Sequence, residues 1–214
     1  MANINGAFGL RPIAKVGQNS NSMGVSGYTS YEIASGNSNV IYFGTPVIPL
    51  STGYIDVVGA AAGGTVGIVG SFMGCKYVSS TTGKPIWSNY WPGSGANTSL
   101  PVEAFVADDP MQLFVVATDA SWTSKATARA GVFANANFSS GTSGSTSTGM
   151  SSAALAISTI AATKTLNLRI MGWEDDPSNS DFSASGIGAI VRLNNHFNSP
   201  NGAIVAGTTD SAGV

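Results

Sequence analysis

The chain has 214 residues, 43% of them hydrophobic, with nine Lys and Arg against eleven Asp and Glu, for a net charge of -2. That length suits one large or two small domains, able to bury roughly 70% of the unfolded surface. Charged residues make up only 9%, against about 25% in ordinary domains, and the nine basic residues form no cluster, so a nucleic-acid partner is not expected.

A surface this neutral offers little self-repulsion and suits packing against other subunits. The opening "MANINGAFGL" has no early Lys or Arg and no sustained apolar core, so no signal peptide is expected, and synthesis is expected in the cytoplasm. Residues 2–24 read as an irregular extended arm, with Pro12 barring regular pairing. Ile4, Phe8, Leu10 and Ile13 space apolar side chains along it. Either a partner covers these residues or the arm folds back on its own domain.

From residue 25 short strands alternate with turns: "SGYTSYEI", "SNVIYF", "GTPVIPL" and "YIDVV". Residues 57–75 form the longest uncharged apolar stretch, but its six glycines, Gly63-Gly64 among them, make it strand, turn and strand; no membrane partner is expected. In "TVGIVGSFMGCKYVSS" glycines at 67, 70 and 74 mark bulges or a barrel corner. Cys75 is the single cysteine, so no intrachain disulfide forms, and it reads as a buried small hydrophobe. "KPIWSNYWPGSG" places Trp87, Tyr90 and Trp91 together. Read as a strand, it puts Trp87 and Trp91 on one face, as core or trimer-contact anchors, and Tyr90 on the other, toward a neighbour or solvent.

"PVEAFVA" and "MQLFVVATD" read as strands separated by "DDP". A short helix from Asp119 to about Arg129 is expected within residues 119–138. Residues 139–152 are Ser, Thr or Gly at 13 of 14 positions, a loop that can separate two sub-regions. "SSAALAIS" reads as a helical turn, "KTLNLRIMGW" as a strand with Leu166, Leu168 and Ile170 on one face, and "SGIGAIVRLNNHF" as the last strand. Residues 198–214 read as a polar tail with an apolar insert at 203–205. Turn signals every eight to twelve residues predict an all-β fold: a small β-barrel or sandwich, jelly-roll or β-tulip-like, over residues 25–197, with arm 1–24 and tail 198–214.

Catalytic vocabulary is thin. His196 is the single histidine, at a strand end, and no G-x-S-x-G elbow accompanies it. One His and one Cys do not make a zinc site within one chain. Glu174, Asp175, Asp176 and Asp181 are oxygen-rich but lack the spacing of a calcium loop. They read as a turn opened by Asp-Asp-Pro, a device repeated at Asp108-Asp109-Pro110. No cofactor and no enzymatic activity are expected.

The segments "MANINGAFGLRPIAKVG", "SFMGCKYVSSTTGKPIWSNYWPG", "AFVADDPMQLFVV" and "LRIMGWEDDPSN" resemble a group of tailed-bacteriophage virion proteins, the capsid decoration (cement) and related head structural proteins. The resemblance runs from the arm to about residue 196. It implies a non-enzymatic homotrimer on the outside of the major capsid protein lattice, stiffening the head against internal DNA pressure, and a virion location. Under it Ile4, Phe8, Leu10, Arg11 and Ile13 are the arm's docking residues, and deletion of residues 2–16 leaves a folded domain. A major capsid protein needs a long spine helix that the periodicity does not predict. The alternative readings are a minor head or major capsid protein, or a carbohydrate-binding or adsorption module that stacks sugars on Trp87, Tyr90 and Trp91.

Overall fold

A computed structural model describes residues 3–17, 27–58 and 67–199. The Gly63-Gly64 turn, the end of the arm at 18–24 and the tail from residue 200, with its 203–205 insert, lie outside the described residues. The first half of the chain forms β1 (Arg11–Lys15), β2 (Thr29–Ile33), β3 (Pro46–Pro49), β4 (Ile55–Val57), β5 (Gly70–Val78), β6 (Pro85–Ser88) and β7 (Val102–Ala107). The second forms β8 (Gln112–Ala117), α1 (Lys125–Ala130), β9 (Asn135–Ser139), β10 (Gly144–Ser145), β11 (Met150–Ser151), β12 (Ala154–Ala161), β13 (Leu168–Trp173) and β14 (Gly188–Leu193). A 3-10 turn spans Pro177–Asn179.

The protein is all-β, built on two open sheets whose strands pair antiparallel, in keeping with a sandwich and without a closed barrel. One sheet runs β2-β7-β5-β3-β4, with β6 added beside β5. It curls until β2 and β4 touch, around Ile33, Val47, Ile55, Phe72, Val106 and Trp91. The other runs β1-β8-β14-β13-β9-β12. It curls until Leu155 of β12 meets Thr118, just past β8, in one isolated bridge. Its core holds Leu10, Phe114, Leu155, Leu168, Ile170 and Val191. Ile48, Met73 and Ala107 of the first sheet join that second core, so the two sheets share it.

Strand β5 shows how the sequence produces this. Its first six residues are all buried, because one sheet face meets each core. Phe72 enters one core and Met73 the other. Gly74, at φ 125°, sits at a register shift between Phe72 and Cys75, so these two residues reach the same core although three positions apart.

The sheets divide at Asp108-Asp109-Pro110, between β7 and β8. The Ser/Thr/Gly-rich segment 139–152 instead carries the small β10–β11 ladder and links β9 to β12. "SSAALAIS" is not a helical turn: it enters β12, paired with β9 from Ala154. Ala and Leu favour a helix only weakly, and burial of Ala154, Leu155 and Ala156 decides the matter. The helix starts later than expected. Ser124 caps it in a reciprocal pair with Thr127, while the Asp119 carboxylate accepts the Ile157 amide.

The described part of the N-terminal arm folds back on its own domain, and it is irregular only up to residue 10. Residues 11–15 are a strand on β8, with Pro12 opposite Phe114. An edge strand tolerates proline because its outward N–H has no ladder partner to lose, and a register shift follows between Pro12 and Ala14. Upstream, the Leu10 amide donates to the Gly44 carbonyl (2.8 Å) and the Gly9 amide to Ala153 (3.1 Å). The Ser71 hydroxyl donates to the Leu10 carbonyl (2.8 Å). Farther up, Asn179 Oδ1 accepts the amides of Ile4 and Asn5. Asn3 is bonded to the main chain of Asp181 and Ser185.

Gly9 and Gly44 cross at φ 77° and 84°, and a Cβ on Gly9 would stand 2.6 Å from the Gly44 carbonyl oxygen. Gly17 has a similar φ of 85° but open space around it. Gly17→Ala is therefore expected to cost about 1 kcal/mol, from backbone strain alone. Gly9→Ala is expected to cost about 3 kcal/mol or more, since overlap adds to strain. Urea midpoints of the two variants check the difference; equal losses would refute the crossing as a close approach.

Candidate functional site

The aromatic segment divides in two. Strand β6 ends at Ser88, whose hydroxyl both donates to the Tyr90 carbonyl (2.6 Å) and accepts the Tyr90 amide (3.2 Å). This local turn breaks the two-residue period. Trp91 then enters the first core, fully buried, with Nε1 donating to the Asn37 carbonyl (3.1 Å) and its ring edge-on to Tyr77. Trp87 remains outside, 67% exposed. The expectation that Trp87 and Trp91 share a face is thus corrected, while Trp91 is a core residue as expected. Tyr90 is half-buried and stacks on Tyr42 at 6.1 Å.

Trp87 heads a shallow groove of about 500 Å³ that includes Tyr28, Met73, Cys75, Asn89 and Phe105. Its indole lies nearly parallel to Phe105, with centroids 5.7 Å apart. Gly74, at the bulge between these strands, also lines the groove, so the bulge that sets the register leaves room for the stack. Lys76, opposite Trp87 in the ladder, holds its ammonium 5.1 Å from the ring centroid. The same ammonium lies 3.9 Å from Glu103. Tyr28, 50% exposed, extends the apolar surface. Phe105 was missed at the sequence level, although its signal is present. In "VEAFVA" the residues Val102, Ala104 and Val106 point into the first core, which leaves Phe105 on the opposite face, half-buried against the second core.

The arm residues go elsewhere, and none lines the groove. Leu10 is fully buried in the second core. Phe8 is half-buried, with the Arg11 guanidinium 4.8 Å from its centroid. Ile4 is 78% exposed, and Arg11 and Ile13 also face solvent. Only Ile4, Arg11 and Ile13 therefore remain open to a partner, with Phe8 partly so.

The titratable groups are spread over several places, Cys75 in the groove itself and the others away from it. Asp108 accepts the hydroxyls of Thr29 (2.8 Å) and Tyr31 (2.7 Å). Burial and then this carboxylate push the Tyr31 hydroxyl up to about 12. Burial alone pushes the Cys75 thiol up to about 12, so it stays protonated at neutral pH. His196 is buried, its Nδ1 accepting the Asn198 amide (3.1 Å). Burial holds it down to about 4, with Asp108 and Asp109 opposing and Arg192 reinforcing the shift. The acidic segment is a structural turn: Asp176 caps the 3-10 turn, bonded to Asn179 and Ser178, and Asp181 bonds Ser183. Those bonds lower both carboxyls below their ordinary range. Among the described residues no three His, Cys, Asp or Glu side chains are grouped to hold a metal. None of the described helices is long and apolar enough to cross a membrane.

Comparison with protein-family models, curated proteins and solved structures finds no match to this chain.

Between pH 6.5 and 4 the unfolded chain binds a proton at His196 that the folded chain refuses. Stability therefore rises with pH through this window and falls as pH drops through it. The full effect is roughly 3 kcal/mol. Asp176 and Asp181 act below this window, because their folded values lie under 3.8. Urea midpoints at pH 4.5 and 7 are expected to differ in the native chain and to converge in His196→Asn; an unchanged pH slope in the variant would contradict the assignment.

Proposed function

We propose that this chain is a non-enzymatic structural protein of a tailed-bacteriophage virion. It binds the outer face of the major capsid lattice as a homotrimer and stabilises the head. The resemblance in the arm and in the "KPIWSNYWPG" and "EDDPSN" segments supports the virion setting. The observation that carries the docking role is the exposed Trp87 indole, stacked on a half-buried Phe105 that packs against the second core. Aromatic residues at the centre of a contact dominate its energy, and Trp foremost. The sparse charge agrees with a contact that depends little on salt.

The arm's part in this reading changes. Leu10 lies in a core and residues 11–15 complete a sheet, so deletion of residues 2–16 would remove structure along with any docking segment. Point changes at Ile4, Arg11 or Ile13 replace deletion as the probe of the arm.

Exposure of Trp87 also favours a second reading, in which the indole is a sugar platform. Stacking on Phe105 and the Lys76 ammonium beside the ring leave it less free than a bare platform.

Cosedimentation with capsid shells assembled without the protein tests both readings. The native chain is expected to pellet with shells, and Trp87→Ala is expected to bind at least about tenfold more weakly. Its stability, read from urea unfolding, should fall by no more than about 1 to 2 kcal/mol, the loss of one exposed ring stack and one cation-π contact. Failure of the native chain to bind shells, with Trp87-dependent retention on immobilised glycans, would establish the sugar reading instead.

A further inference from the structure

On the outer face of the second sheet, Arg169 of β13 and Arg192 of β14 stand directly opposite one another in the ladder. Residues so paired share a face, with Cβ atoms about 5 Å apart, and like charges there are destabilising. The face is the solvent side, because Leu168, Ile170, Val191 and Leu193 point into the core. Neither guanidinium has a carboxylate partner among the described residues. The row continues to Leu113 on one side and Asn135 on the other.

The two arginines are also held in place. Asn135 Oδ1 accepts Arg169 Nε (3.2 Å) and is shared with the Asn194 amide (3.2 Å). Arg192 Nη1 points at Met111 Sδ (3.7 Å), a weak acceptor. Its Nε is buried with no acceptor among the described residues. Burial, and then Arg169, lower the Arg192 pKa from its ordinary value. A strongly hydrogen-bonding cation, partly desolvated, faces a second cation where a neutral pair would cost less.

We propose that Arg169 and Arg192 together form an oxyanion site, in which a carboxylate or phosphate group bridges the two guanidiniums. Each guanidinium presents donors in a planar fork that fits two oxygens, and the bridging charge cancels the cross-strand repulsion. The inference does not rest on the virion reading. The oxyanion comes either from a free phosphate or from an Asp or Glu side chain of another protein.

Thermal unfolding in chloride, phosphate and acetate at matched ionic strength tests this with native chain, Arg192→Gln and Arg192→Lys. In chloride, Arg192→Gln is expected to unfold at the same temperature as native or higher, since it removes the repulsion. In a bridging oxyanion the order inverts, and titration calorimetry with phosphate or acetate shows affinity about tenfold weaker in Arg192→Gln, a 1.4 kcal/mol loss. Arg192→Lys, which keeps charge but not the fork, falls between. Inversion in phosphate alone identifies phosphate; inversion in acetate identifies a carboxylate. A difference between native and Arg192→Gln that is the same in all three salts overturns the site, as does titration heat unchanged by the substitution.

Discussion

Where the N-terminal segment passes between the sheets, two glycine backbones meet with no room for a side chain. Gly9 crosses Gly44, and the residue that follows, Leu10, bonds backbone from one sheet while burying its side chain in the core of the other. Around this point the Leu10 amide, the Leu10 carbonyl and the Gly44 amide all find partners, in Gly44, Ser71 and Phe72. Buried main-chain groups without partners would cost too much to persist there. The first sheet's position against the second therefore follows from a stretch of chain that is a strand of neither at that point.

Two cores let so weakly charged a chain keep a defined structure. Each sheet curls around its own core, and β5 feeds both. Little of the stability has to come from ion pairs: among the described residues they are a half-buried one, Lys15–Asp109, and an exposed one, Lys76–Glu103, of the kind that contributes least. What remains on the outside is mostly Ser, Thr, Asn and Gly, interrupted by the Trp87–Phe105 stack on one sheet and the arginine pair on the other. Those two interruptions use different physics, apolar area in one case and concentrated charge in the other, and they occupy different sheets.

Strands were legible wherever alternation was clean. In β7 Val102, Ala104 and Val106 mark the inner face, and β13 and β14 read equally well through Leu168, Ile170, Val191 and Leu193. Legibility failed where a single local bond or a distant partner outweighed the period. The Ser88 hydroxyl turned Trp91 away from the face of Trp87. Pairing with β9 made "AALAIS" a strand against its mild helical preference. Pro12 is informative only once β1 is known to be an edge. The exposed aromatic surface was half legible: Trp87 was picked out, but Phe105, Tyr28 and the bulge at Gly74 come together only in three dimensions. The arginine pair left no local trace, because Arg169 and Arg192 are 23 positions apart and meet only through the β13–β14 register.

The stitching of Ile4 and Asn5 to Asn179 spans 175 and 174 positions of chain. During synthesis the arm leaves the ribosome long before its acceptor exists, on the order of 10 to 35 s at ordinary elongation rates. For most of that interval the second core that Leu10 enters is incomplete, because β12, β13 and β14 come last, while the strands of the first sheet, β2 to β7, are already available to pair. Nascent chains would thus pass through a stage in which one half is folded and the arm still trails, its apolar residues uncovered. High sequence separation of this kind makes the last docking step slow. It also gives neighbouring nascent chains on the same message an opportunity to exchange arms, so that the segment which locks one molecule together can link two.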